Sequence, residues 1–214
     1  MPHELTSYVD AIDAELTTVL AGLKIFRQLF MHSNQRLSLL NDSAGECFSL
    51  VRIALRDLIF LSFARLTDAP ETGGKANLCF GQVVRFALAN GLGELAAEIS
   101  PKVESIRAQA EPIRRWRNER LAHLDLKGAL GPVEVALPEV SGAQLDSLME
   151  EAGQLMNTIK RKLGITEMGY DQVFMFGDGD ALVGWLDRGR IHSKCEQLAW
   201  EIVGHIGPAA PKGA

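Results

Sequence analysis

The sequence predicts an all-α protein: an up-and-down helical bundle with a C-terminal helical extension. Two observations predict it. Apolar residues recur at helical intervals in at least four long segments. Only one stretch, carrying Val133, Val135 and Leu137, alternates as a strand does, and Gly131-Pro132 and Pro138 keep it short.

The first element runs from about Glu4 to Met31. Tyr8, Ile12, Leu16, Val19, Leu20, Leu23, Phe26 and Phe30 fall mainly on one stripe, so it reads as one amphipathic helix facing a core. Gly22 weakens it without ending it. No strict heptad persists, which argues against a coiled-coil arm. Residues 32–43 are more polar and end in Asn41-Asp42-Ser43, good N-cap chemistry. A second helix is expected from there to Leu66. Phe48, Val51, Leu55, Leu58, Ile59, Leu61 and Phe63 make it apolar around much of its circumference, the pattern of a buried helix. Asp57 with Arg56 and Arg65 reads as a structural ion-pair set.

Pro70, Gly73 and Gly74 make residues 67–76 a loop. Asn77 is expected to cap a third helix, Leu78 to Ala89, closed by Asn90-Gly91. A fourth covers Leu92 to about Ser100. Pro101 then stands where a new helix would start, because a first helical position needs no N–H. Pro112 should kink or restart that helix one turn before a basic cluster. Ser141 caps a later helix with Leu145, Leu148, Met149, Ala152, Leu155, Met156 and Ile159 on one face. Its end, Lys160-Arg161-Lys162 before Gly164, reads as a solvated terminus. Asp178-Gly179-Asp180 has the start of a calcium loop without its other ligands, so Asp180 is read as the cap of a last helix, Ala181 to Ile206. Leu182, Trp185, Leu198 and Trp200 are available for packing there, and Gly184 and Gly189 weaken it. The expected organisation is a helical domain over 1–165, a helical extension over 166–207 packed on it, and a flexible tail over 208–214.

Composition excludes several classes. Hydrophobic residues make up 47% and charged residues 23%, ordinary globular values. The net charge of −5 means the whole molecule is not a basic nucleic-acid binder. Any RNA contact must rest on a local patch, for which Arg107, Arg114, Arg115, Arg117, Arg120 and Lys127 are the candidates. Cys47, Cys79 and Cys195 are widely spaced and odd in number, so they support neither a zinc site nor a disulfide framework. A reducing cytoplasm is the simplest setting. The N-terminus lacks signal-peptide character, and the apolar run Leu58 to Ala64 is too short to span a bilayer. No metal or cofactor is expected.

The chemistry concentrates in Arg117-Asn118-Glu119-Arg120-Leu121-Ala122-His123, at the end of the cationic segment Arg114-Arg115-Trp116-Arg117. Arginine offers a planar fork of donors that matches a phosphate. Histidine titrates nearest neutrality, so it can give or take a proton. The alternative is structural, since Arg and His are also favoured in the last turn of a helix. Trp116 has two readings: a core anchor, or a platform for an unpaired base. Arg117 and His123 are six residues apart, so their directions on a regular helix differ by about 120°. One helix therefore does not aim both at one phosphate.

The pattern Arg-Asn-x-x-x-Ala-His resembles the signature of the HEPN superfamily. The order of segments around it, with Leu61-Ser62-Phe63-Ala64-Arg65-Leu66-Thr67-Asp68 ending the upstream helix, Asn77-Leu78 opening the next, and His123-Leu124-Asp125 following, is similar to its abortive-infection branch over about residues 1–165. The resemblance implies a helical homodimer in which two motif helices meet at a twofold axis. It implies a metal-independent endoribonuclease, with His123 as general acid or base, Arg117 stabilising the phosphoryl oxygens and Asn118 orienting either. Arg114, Arg115, Arg120 and Trp116 would bind the RNA. It also leaves open a module that binds nucleotide, RNA or a partner without cutting, and a cognate antitoxin as partner. No membrane role follows.

Overall fold

The computed structural model describes residues 3–118 and 140–205. Among the described residues are seven helices and one hairpin: α1 (His3–Phe30), α2 (Asn34–Leu66), β1 (Glu71–Thr72), β2 (Lys75–Ala76), α3 (Phe80–Ala89), α4 (Gly93–Gln109), α5 (Glu111–Trp116), α6 (Gly142–Lys162) and α7 (Gly179–His205). The protein is all-α, as the periodicity predicts. The stretch with Val133, Val135 and Leu137 lies outside the described residues. None of the described helices is long and apolar enough to cross a membrane.

The chain forms two compact units, Met1–Lys24 with Ile53–Met175, and Ile25–Arg52 with Phe176–Ala214. The second unit thus draws on residues 25–52 as well as on α7, a partition that reading along the chain does not show.

In the first unit, α1 buries Leu5, Val9, Ile12, Leu16, Val19 and Leu23. Their alternating spacing of four and three keeps one line of side chains facing inward over five turns. Tyr8 and Leu20 flank that line, half-buried. In α2, Ile59, Phe63, Ala64 and Leu66 are buried, but Leu58 is 40% exposed. The helix is therefore buried along one side, not around its circumference. Asp57 pairs with Arg56 at 3.0 Å.

The loop after α2 holds a small antiparallel hairpin, with Glu71 opposite Ala76 and Thr72 opposite Lys75. Gly73 and Gly74 turn it at φ 56° and 77°, left-handed values that suit glycine. Asn77 does not cap α3. Its side-chain amide donates to Ala69 O and Thr72 Oγ1, both at 2.8 Å, and so closes the hairpin. Cys79 takes the N-cap position without a side-chain bond, and its N–H donates to the Tyr8 hydroxyl at 2.9 Å. At the other end of α3, Leu92 N–H reaches Ala87 O and Gly91 N–H reaches Leu88 O, the paired bonds expected of a glycine C-cap.

Pro101 does not start a helix. It lies inside α4, which runs through it. The loss of one N–H there is absorbed by a helix that buries Leu95, Ala96, Ile99, Val103 and Ile106 against α3 and α6. Ser141 caps α6 as expected: it accepts from Gln144 N–H while the Gln144 side chain accepts from Ser141 N–H, a reciprocal capping box.

The end of α6 departs from expectation. Lys160 is not solvated but buried, with its ammonium 2.7 Å from Asp13 Oδ2. The Tyr170 hydroxyl donates to the other oxygen, Oδ1. Lys160 sits four residues after Met156, on the same inward stripe, so the helix carries it into the core. Asp13 enters in the same way, four residues after Val9. Gly153 leaves room for Tyr170; an added Cβ would meet the Tyr170 Cβ at 3.0 Å.

In the second unit, α2 breaks at Ala44, whose backbone is extended (φ −164°, ψ 65°), just after Asn41-Asp42-Ser43. The polar run before it is itself helical. At the start of α7 the cap is Asp178, not Asp180: Asp178 Oδ1 accepts from Ala181 N–H at 3.3 Å. Asp180 instead pairs with Arg36 at 2.6 Å, and Gln28 donates to both aspartates at 2.8 Å. Gly184 and Gly189 do not interrupt α7. Trp185, Leu198 and Trp200 are exposed on it, so the packing expected of them is not observed.

Candidate functional site

The motif helix restarts where the proline requires. Ala110 separates α4 from α5, and Pro112 falls in the first turn of α5, where its missing N–H costs nothing. Ile113 and Trp116, three apart, are buried and anchor α5. The Trp116 ring stands edge-on to Phe60 at 5.0 Å between centroids, and the Arg56 guanidinium lies 4.9 Å from it. Of its two readings, the packed one is observed. As a base platform Trp116 would first have to leave the core.

The backbone continues past α5 in a π turn at Arg117 and Asn118. Arg117 Nη1 is 2.5 Å from Asp68 Oδ2, and its Nε donates to Asn118 Oδ1 at 3.0 Å. Asp68 reaches it from the end of α2, where Thr67 turns the chain by donating its hydroxyl to Phe63 O and Ala64 O. The Arg117 side chain is 18% exposed. Among the described residues, the carboxylate takes one of the five guanidinium donors and Asn118 another.

Arg114 has a different job from the one its charge suggests. It donates to Arg107 O at 2.6 Å and Thr67 O at 3.4 Å, and it pairs with Glu111. It ties α5 to the ends of α2 and α4, so as an RNA contact it would first have to abandon two carbonyls. Arg115 and Asn118 are exposed. Arg120 and His123 lie outside the described residues. The structure therefore brings Arg117 and Asn118 together with Asp68, a residue that only the family-like segment order had marked.

Beside Asp68 a cleft opens between α2, α3 and α4, walled by Phe80, Val84 and Val103 and edged by Asp68, Glu104 and Arg107. Cys79 is buried close by. Its burial pushes the thiol pKa up, against the opposing backbone hydrogen bonds from Gln82 and Gly81. Among the described residues no three His, Cys, Asp or Glu side chains are grouped to hold a metal ion.

Comparison with curated proteins and with solved structures found no match. The AbiU2 family model of HEPN domains matches residues 3–173, which takes in nearly all of the first unit, the Asp68–Arg117 pair and the whole Arg-Asn-x-x-x-Ala-His string. The chain is a member of the HEPN AbiU2 family.

Proposed function

We propose that this protein is a metal-independent endoribonuclease of a phage-defence or toxin-type system, working at a composite site between two copies of the chain. The observation that carries the reading is the Asp68–Arg117 pair. An arginine followed by the Asn118 and His123 of the family motif is held by a carboxylate from the end of another helix. A phosphate-binding arginine is effective when it is oriented before the substrate arrives.

In the proposed reaction the ribose 2′-oxygen attacks the adjacent phosphorus and the bond to the 5′-oxygen breaks. His123 takes the 2′ proton or supplies one to the leaving oxygen. Arg117 bonds the non-bridging oxygens as their charge grows. The products carry a 2′,3′-cyclic phosphate and a 5′-hydroxyl. On a regular helix Arg117 and His123 would diverge by about 120°, so in this reading the second copy supplies the histidine that faces each arginine.

The test incubates purified protein with mixed cellular RNA in EDTA, beside His123→Ala. Cleavage should survive EDTA, leave cyclic phosphate ends, and fall by about 10²–10⁴-fold in the variant. A variant that cuts as fast as wild type removes His123 from the mechanism. A second reading, a binding module without cleavage, is favoured by the net charge of −5 and by Arg114 being spent on backbone carbonyls. It takes the place of the first if the wild type binds RNA or nucleotide and leaves it intact.

A further inference from the structure

We propose that the cleft beside Asp68 is a guanine-binding subsite, in which Glu104 and Arg107 read the base of the nucleotide whose 3′ phosphate lies at Arg117. Placing the phosphate at Arg117 rests on the ribonuclease reading; recognition of the base does not.

The cleft has a volume of about 90 Å³. Phe80 and Val103 lie buried behind it and half-buried Val84 lines it, so a ring entering it meets an apolar wall. Unpaired bases of single-stranded RNA are taken up in this way and then read along their edges. Glu104 and Arg107 are three apart on α4, so they stand on the same face. Among the described residues neither is in an ion pair, in contrast to Arg114 and Arg117. Both line the cleft, so a carboxylate with acceptors only and a guanidinium with a fork of donors border one opening.

Guanine matches that order. Its N1–H and exocyclic amine are adjacent donors, spaced for the two oxygens of a carboxylate. Its O6 and N7 are adjacent acceptors, the usual target of an arginine fork. Uracil has a single N–H between two carbonyls, which a carboxylate repels. Adenine and cytosine set a ring-nitrogen acceptor beside the amine, so only one oxygen of Glu104 finds a donor. Asp68 forms the shared wall: it lines the cleft and its Oδ2 holds Arg117. A base in the cleft therefore sits next to the arginine proposed to hold the phosphate.

The experiment titrates the full chain with 3′-GMP, 3′-AMP, 3′-CMP and 3′-UMP by calorimetry, and sequences the ends left by cleavage of mixed RNA. The expected result is 3′-GMP binding at least tenfold tighter than the other three. Glu104→Gln and Arg107→Ala should each weaken 3′-GMP about tenfold or more, consistent with loss of a charged hydrogen bond. Val84→Phe, which fills the cleft with an apolar ring, should abolish binding while its circular-dichroism melt stays cooperative. Equal affinity for the four nucleotides, or 3′-GMP binding unchanged in both Glu104→Gln and Val84→Phe, overturns the subsite. If 3′-GMP binds as expected and RNA is never cut, the subsite stands and the ribonuclease reading fails. If RNA is cut without preference for G and 3′-GMP does not bind, the subsite fails alone.

Discussion

Replacing Asp13 by asparagine should destabilise the first unit far more than a surface change would. The Lys160 side chain is 4% exposed and Asp13 17%, with 2.7 Å between their charged atoms. The substitution would leave an ammonium buried beside a neutral amide. Removing one partner of a buried pair costs about 3–5 kcal/mol. The partial exposure of Asp13 admits some water and places the expectation near the lower end, about 3 kcal/mol. For a chain of this length that is a fall in Tm of roughly 6–12 °C. Lys160→Met keeps the length of the stem, removes the charge, and leaves Asp13 with the Tyr170 hydroxyl, so it should cost about 1–3 kcal/mol. The double variant should cost less than the sum, because the second change removes the group that the first left unpaired. The assay is urea unfolding followed by far-UV circular dichroism, with the slope compared between variants so that a change in denatured-state compactness is not read as stability. Additive single changes, or a loss below about 1 kcal/mol for Asp13→Asn, would refute the reasoning. The pair would then be behaving as an exposed one.

Three further outcomes follow from the same geometry. Burial first, and then Asp13, raises the Tyr170 pKa, and burial holds Tyr8 up at about 12. Both groups keep in the folded state a proton that the unfolded chain releases near pH 10, so stability is fully present below about pH 10 and is lost as pH rises beyond it; Tyr170→Phe should flatten that alkaline decline in a pH series of melts. Asp68→Asn weakens a charge-assisted bond to Arg117, which should cut cleavage by about 10–100-fold when assayed below the variant's own melting transition, and a faster variant would mean that Asp68 restrains the arginine instead of positioning it. Gly153→Ala drives a methyl to 3.0 Å from the Tyr170 Cβ and should cost about 1–3 kcal/mol in urea titration, whereas a neutral result would show that residues near Tyr170 move freely.

The helices were legible because their signals are local. Val9, Ile12, Leu16 and Val19 repeat at helical spacing, Ser141 with Gln144 spells out a capping box, and Asn90-Gly91 marks a C-cap. The errors came where a distant partner decides. Asn77 has good cap chemistry, yet Ala69 and Thr72 compete for its amide across the hairpin. Pro101 could open a helix or sit inside one, and the packing of α4 on both α3 and α6 chose the second. Lys160 looked like a solvated helix end by residue type. Its position on the inward stripe was visible in the spacing, but an acceptor to justify burial was not, because Asp13 lies 147 residues away.

The candidate site divides along the same line. Arg117-Asn118 and His123 stand out in the sequence as candidate chemistry, since fork donors beside a titratable group need no tertiary information. The basic run around them was misleading as a surface. At about 100° per residue, Arg114, Arg115, Trp116 and Arg117 point in four directions. Arg114 goes to carbonyls of two other helices, Trp116 into the core, Arg117 to Asp68, and Arg115 outward. A cluster of like charge in the sequence thus becomes, among the described residues, a set of separate structural duties. In the proposed ribonuclease, the described cations placed to meet RNA are Arg117 and Arg107 at the cleft, with Arg115 exposed on α5. Electrostatic attraction along the strand would be correspondingly weak, and selectivity would rest on contacts at the cleaved nucleotide itself.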